Sequence, residues 1–224
     1  MPLPAAERAL LGRVWNGVYE FFYGWLKGFT TILFRVLFRV RRVGPRRPLP
    51  AGGLILCPNH QSYLDPAFVQ LVVARRVVFV MTNAFYSSRG AHWFFRLVGA
   101  LPLGSGRQAM TTMKRAAALL RLGNALVVFP EGRLSDDGSL RAGQRGIAIL
   151  ARRGRAPIVP VAIEGSRHAW RKGGKWMRKA DVRLAFGEAV TCDSAGGREA
   201  DQRFADGIMG RIASLKAEIP YRGR

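Results

Sequence analysis

Leu54-Ile55-Leu56-Cys57 is a short, wholly apolar run, followed at once by Pro58-Asn59-His60-Gln61-Ser62-Tyr63-Leu64-Asp65-Pro66. An unbroken apolar run of this length, bounded by turn residues, predicts a buried strand. Asp65 before Pro66 predicts a helix start, with Asp65 as N-cap and Pro66 at the first helical position. His60 then lies on the strand-to-helix loop and Asp65 at the helix mouth. On one continuous helix, an offset of five residues would set the two side chains apart around the axis. Across a turn they can face each other. A carboxylate bonded to one imidazole nitrogen fixes the tautomer and supports the imidazolium, which leaves the other nitrogen to take a proton. For such a pair in isolation, the plainer reading is a loop histidine and a helix cap.

A second cluster changes that balance. Leu126-Val127-Val128-Phe129 is another apolar run, and it leads straight into Pro130-Glu131-Gly132-Arg133-Leu134-Ser135. Two strands thus end in polar loops punctuated by Gly or Pro. In open α/β sheets, ligands bind outside the carboxyl ends of the strands, so His60, Asp65 and Glu131 are expected at one pocket mouth.

The remaining pattern supports such a sheet. Strands are expected at 77–81, 125–129 and 157–163, with a plausible edge strand at 182–186. Helices are expected at 67–74, 92–97, 108–121, 143–153 and 199–217. In the third of these helices, Met113, Ala116, Ala117 and Leu120 form an apolar face. Alternating strands and helices predict an α/β fold, with a mostly parallel central sheet flanked by helices. The two cysteines, Cys57 and Cys192, fit no metal-ligand spacing and read as reduced, structural thiols. No metal site and no cofactor are expected.

Residues 10–43 differ in character. Trp15, Tyr19, Phe21, Phe22, Tyr23, Trp25, Phe29, Ile32, Phe34 and Phe38 make them strongly aromatic and apolar, but Glu20, Lys27, Arg35 and Arg39 interrupt the run. A spanning helix needs about 20 mostly apolar residues, and the charge-free stretch between Lys27 and Arg35 is far shorter. No small-residue cleavage site follows, so a signal peptide is not expected either. The segment reads as one or two amphipathic helices lying in a membrane interface, with Gly24 or Gly28 allowing a bend. Pro45, Pro48 and Pro50, then Gly52-Gly53, mark the junction. The expected division is 1–44, a membrane-associating helical segment on the cytoplasmic face, and 45–224, the α/β domain.

The formal charge of +22 requires anionic partners, with 36 basic residues against 14 acidic ones. Nucleic acid, anionic lipid and phosphate-bearing substrates are the candidates. No zinc module, helix-turn-helix pattern or aromatic-basic interleaving on a sheet points to nucleic acid. The aromatic amino-terminal segment favours an anionic membrane surface, with Arg35, Arg39, Arg41, Arg42, Arg46 and Arg47 facing headgroups. A second basic run, residues 167–179 with Trp170 and Trp176, suits membrane, the phosphates of an acyl carrier, or plain solvent.

Asn59-His60, Asp65 five residues on, and Phe129-Pro130-Glu131-Gly132 together resemble the glycerolipid acyltransferase family, which includes lysophosphatidic acid acyltransferases. Ile158-Val159-Pro160-Val161-Ala162-Ile163 is similar to that family's last motif, and the resemblance spans roughly residues 45–190. It implies transfer of a fatty acyl group from acyl-CoA or an acyl carrier protein, as donor substrate, to the free hydroxyl of a lysophospholipid. His60 would be the general base and Asp65 its support. The acceptor would be bound by Asn59, Arg107, Glu131, Gly132 and Arg133. Arg133 comes one residue earlier than the family's arginine, and Arg107 stands beyond a glycine loop after Gly99-Ala100-Leu101-Pro102-Leu103. These two arginines would clamp the acceptor phosphate. Glu131, expected anionic at neutral pH, would bond an acceptor hydroxyl or position an arginine. The Gly132 N–H would approach the substrate closely. The acceptor implied is 1-acyl-glycerol-3-phosphate. The stretch from Phe129 to Leu140 is also similar to the branch that reacylates lysophospholipids such as 2-acylglycerophosphoethanolamine. A non-enzymatic basic membrane- or nucleic-acid-binding protein is the competing class. A serine hydrolase is disfavoured because no Gly-x-Ser-x-Gly elbow is present.

Overall fold

A computed structural model describes residues 17–82, 86, 95, 99–174, 176–192 and 196–221. Among the described residues, thirteen bounded elements follow one another: α1 (Gly17–Leu37), β1 (Arg39–Val43), β2 (Leu54–Pro58), α2 (Asp65–Val72), β3 (Val77–Thr82), β4 (Leu101–Leu103), α3 (Gly106–Arg121), β5 (Ala125–Val128), α4 (Gly146–Gly154), β6 (Ile158–Glu164), α5 (Ser166–Trp170), β7 (Asp181–Phe186) and α6 (Arg198–Glu218). The helix expected at 92–97 lies outside the described residues, apart from Phe95, which is helical and buried.

The strands form one sheet in the order β1-β7-β6-β2-β5-β3-β4. Every pairing is parallel except β6 with β7. Period-two alternation of apolar side chains sends each strand to both faces. Leu54, Leu56, Val127, Val159, Val161 and Ile163 face one side with Phe68, Val69 and Val182. Ile55, Cys57, Leu126 and Ile158 face the other, where Ala116, Ala117 and Leu120 of α3, Leu150 of α4 and Ile208 of α6 cover them. The result is a three-layer α/β/α domain. This fold class is the one the strand and helix pattern predicts.

Three expectations need correction. Strand β7 is not an edge: β1 lies outside it, pairing Arg39 with Asp181 through Val43 with Ala185. Residues 39–43 therefore belong to the sheet rather than to an amphipathic helix, and this strand lies on the amino-terminal side of the boundary expected after residue 44. The cause is legible only in three dimensions. The arginines of Arg39-Val40-Arg41-Arg42-Val43 sit at the sheet margin, where Arg42 lies 4.5 Å over the Phe186 ring, while Val40 packs on the core. Finally, α1 runs without interruption from Gly17 to Leu37, so neither Gly24 nor Gly28 divides it.

Helix α1 has two faces. Phe34 and Leu37 pack on the core, and the next residue, Phe38, is buried. Phe34 and Phe38 meet Phe68 of α2 edge-on, at centroid distances of 6.0 and 5.2 Å. Trp25, Phe29, Ile32, Leu33 and Val36 are left exposed. Phe68 is fully buried beneath this contact. Truncating Phe68 to alanine should cost about 3–5 kcal/mol, read as a lower midpoint in urea unfolding of the full chain.

Candidate active site

The loop after β2 is short and tightly bound. Asp65 is fully buried. Its Oδ2 accepts hydrogen bonds from the backbone N–H of Gln61 and of Ser62, both at 2.8 Å, and lies 2.9 Å from His60 Nδ1. The carboxylate is acceptor-only, so it selects the tautomer with the proton on Nδ1. Nε2 has no protein partner among the described residues, and the imidazole is 18% exposed. Phe129 stacks on the His60 ring at 3.9 Å between centroids. Asp65 is thus the first residue of α2 rather than its N-cap. That position falls to Leu64, which makes no side-chain cap. The carboxylate turns back onto the loop because two loop N–H groups and an imidazole meet it there.

The glutamate loop meets the histidine loop directly. Glu131 is buried. Its Oε1 accepts from His60 N–H at 2.9 Å, and its Oε2 accepts from Arg141 N–H at 3.2 Å. Ser135 N–H donates to the His60 carbonyl at 2.8 Å. His60, Asp65 and Glu131 are brought together, at the carboxyl ends of β2 and β5, as the two motifs imply. The charge state of Glu131 is not as expected. Burial pushes its carboxyl up to about 7, against smaller opposing effects of the His60 N–H and side chain, so it is not held anionic through neutral pH.

Other expected residues have different local partners. Asn59 is buried and spans the backbone of Ile163, its Nδ2 donating to that carbonyl at 3.0 Å and its Oδ1 accepting from that N–H at 2.7 Å. Both polar ends of its amide are therefore engaged by β6. The Gly132 N–H closes a turn onto the Phe129 carbonyl at 3.1 Å instead of pointing at open space. The glycine is needed for its left-handed φ of +70°, which L side chains rarely adopt. Arg133 is exposed and lines the cleft beside Glu131 and Gly132. Arg107 is exposed in the first turn of α3 and is not among the residues lining that cleft.

Residues 39–164 match the model of the family described as Acyltransferase. The chain belongs to the Acyltransferase family. It is 26% identical over 135 residues to the chloroplastic 1-acyl-sn-glycerol-3-phosphate acyltransferase BAT2 of Brassica napus, an overlap of 59% of this chain and 39% of that protein. It is 28% identical over 142 residues to the 1-acyl-sn-glycerol-3-phosphate acyltransferase of Limnanthes alba, an overlap of 62% and 50%. The chain spans half the length or less of these two relatives. Its fold is like that of the crystal structure of the 1-acyl-sn-glycerophosphate acyltransferase PlsC from Thermotoga maritima, with a TM-score of 0.72, 21% identity, and coverage of 92% of this chain and 83% of that one.

In this acyltransferase-family chain, a cleft of about 1330 Å³ opens between the 131–145 loop, α3 and α4. Met110, Met113 and Ile149 give it an apolar side, and Arg133, Arg141 and Arg145 a charged one that also holds Asp136, paired with Arg141, and Asp137. Sequence reading missed the second binding of the loop to β6, by Gln61 Nε2 to the Ile163 carbonyl at 2.6 Å. It also missed the Phe129 ring against His60 and the Arg141 N–H on Glu131. The last is a backbone contact, which no side-chain pattern announces. Among the described residues, no cluster of His, Cys, Asp and Glu could hold a metal ion.

The raised Glu131 value has a direct consequence for stability. Between about pH 4.5, its ordinary value, and about pH 7, the folded chain keeps a proton that the unfolded chain has released. The contribution of this group to stability is therefore complete below that window and falls as pH rises through it. Glu131→Gln should flatten this part of the pH profile, measured by urea unfolding at several pH values across the window.

Proposed function

We propose that this chain transfers a fatty acyl group from a thioester donor to the free hydroxyl of a lysophospholipid, with 1-acyl-glycerol-3-phosphate as the preferred acceptor. The observation that carries this reading is the state of one imidazole: Nδ1 is tied to a buried carboxylate, and Nε2 has no protein partner among the described residues. Nε2 takes the proton of the acceptor hydroxyl as its oxygen attacks the thioester carbonyl. The C–O ester bond forms, the C–S bond breaks, and the imidazolium returns the proton to the departing thiolate. Asp65 supports the imidazolium, and its two backbone N–H partners keep it in place. No acyl-enzyme is needed, because the acceptor oxygen is the nucleophile.

Glu131 acts on the base through the backbone rather than on the substrate. It holds the His60 N–H and ties it to the Arg141 N–H across the cleft. Arg133, exposed beside it, is suited to the acceptor phosphate, since a guanidinium offers paired donors to phosphate oxygens. The names of the Brassica napus and Limnanthes alba relatives support the choice of acceptor. The donor is acyl-CoA or an acyl-carrier-protein thioester, both of which bring phosphate to a strongly basic surface.

Purified His60→Ala and Asp65→Ala proteins should lose acyl transfer to 1-acyl-glycerol-3-phosphate by at least about 10²-fold, followed by the mass of the product lipid. Vesicle binding should stay near that of the unaltered chain. Substantial turnover in both variants would exclude His60 as the base.

Membrane association belongs to the same reading. No helix among the described residues is long and apolar enough to cross a membrane. The exposed row Trp25, Phe29, Ile32 and Val36 on α1 follows helical spacing and suits shallow burial in the headgroup region. Deleting residues 1–44 would remove β1 and so disturb the sheet. Serine at Trp25, Phe29 and Ile32 is the cleaner test, and it should weaken co-sedimentation with lipid vesicles while leaving the unfolding midpoint unchanged.

A further inference from the structure

The basic run between α5 and β7 has no part in the chemistry above. Within it, Trp176 is 81% exposed and Met177 is exposed beside it. Arg178 and Lys179 follow directly, and Arg171 precedes them. These residues are not scattered over the surface. Trp176, Arg171, Arg178 and Lys179 line a recess of about 1220 Å³ together with Val36 and Arg39 from the α1–β1 junction. Val36 is itself 73% exposed. Among the described residues, Arg39, Arg171, Arg178 and Lys179 form no ion pair. Asp181, the carboxylate lining the recess, is already paired with Arg183 at 3.1 Å.

The recess lies at the catalytic end of the sheet. In the strand register Glu164, at the end of β6, stands opposite Arg183 near the start of β7, and Asp181 stands beside Arg39 at the start of β1. All three positions sit at the edge from which the His60 loop leaves β2. Trp170, another residue of the recess, touches that loop. Its carbonyl accepts from Ser62 Oγ at 2.9 Å and from Tyr63 N–H at 3.2 Å, and its ring meets the Tyr63 ring at 5.4 Å.

Two requirements select the occupant. Four unpaired cations call for a dense anionic surface, and an uncovered indole, thioether and valine call for an apolar phase. A nucleic acid offers phosphates and a base to stack on the indole, but nothing to receive Val36 and Met177. An anionic bilayer satisfies both, with headgroup phosphates against the cations and the tryptophan at headgroup depth. We propose that Arg171, Trp176, Met177, Arg178 and Lys179 form a second membrane contact, meeting the exposed row of α1 at Val36, which seats the catalytic end of the sheet on an anionic lipid surface. This contact stands apart from the acyl-transfer reading, since its test reads binding.

The experiment uses the full chain and vesicles of either pure phosphatidylcholine or equal parts phosphatidylcholine and phosphatidylglycerol. Arg178→Glu/Lys179→Glu should weaken binding to the mixed vesicles by about thirty-fold or more, given roughly a fivefold factor for each basic residue lost at the surface. Binding to pure phosphatidylcholine should not change. Trp176→Ala/Met177→Ala should weaken binding to both compositions. Both pairs should keep the unfolding midpoint and the turnover on a water-soluble, short-chain acceptor. If the charge-reversed pair does not fold, the Trp176/Met177 pair decides alone. Unchanged affinity of either folded pair for mixed vesicles overturns the proposal, as does tighter binding of the unaltered chain to a DNA duplex than to those vesicles.

Discussion

One buried oxygen organises the catalytic end of this molecule. Oδ2 of Asp65 gathers two backbone N–H groups and an imidazole N–H from three consecutive residues, His60, Gln61 and Ser62. An uncompensated buried carboxylate would be severely destabilising, so the loop can close over Asp65 only in a shape that supplies those donors. That shape aims Nδ1 of His60 inward and leaves Nε2 outward. The amides of Asn59 and Gln61 fasten the same loop to Ile163, and Glu131 fastens it to the neighbouring strand's loop. The imidazole is therefore set by the folding of three strand ends, β2, β5 and β6, rather than by its own rotamer preference.

The charge of the chain is unevenly used. Arg75 spends its guanidinium on the carbonyls of Pro50, Gly52 and Gly123 and so holds the connection into β2. Arg152 is paired with buried Asp201 and joins α4 to α6. Arg47 pairs with Glu188 beyond the far end of β1. These arginines are structural and lie away from His60. Arg41, Arg42, Arg46 and Arg47, expected at a membrane with Arg35 and Arg39, follow β1 toward the opposite end of the sheet. Of the three arginines in β1, Arg39 is the one at the catalytic end. A net charge says that anions will be met; only the direction of each strand says where.

The sheet and the meeting of the two motifs were legible in the sequence because both depend on local patterns. Apolar runs such as Leu54–Cys57 and Leu126–Phe129 mark buried strands wherever they occur, and a Pro after Asp65 marks a helix start. What was hidden depends on tertiary partners. Strand β1 is a row of arginines and valines that reads as part of the preceding amphipathic stretch until β7 supplies a pairing edge. The protein partners of Asn59 and Gly132 were hidden for a related reason. Each looked available to a substrate, but each has a protein partner that only the folded chain brings near: the Ile163 backbone for Asn59 and the Phe129 carbonyl for Gly132. The charge of Glu131 was misjudged because burial cannot be read from a Pro-Glu-Gly turn.

The three phenylalanine rings under α1 have a mechanical meaning. Phe34 and Phe38 clasp Phe68, which lies three residues beyond Asp65 on the short helix α2. A tilt of the amino-terminal helix must either break this aromatic joint or be passed along less than one helical turn to Asp65. The rings therefore act as a spacer that sets the height of the His60 loop relative to the amino-terminal helix, and a change in their bulk would shift that height.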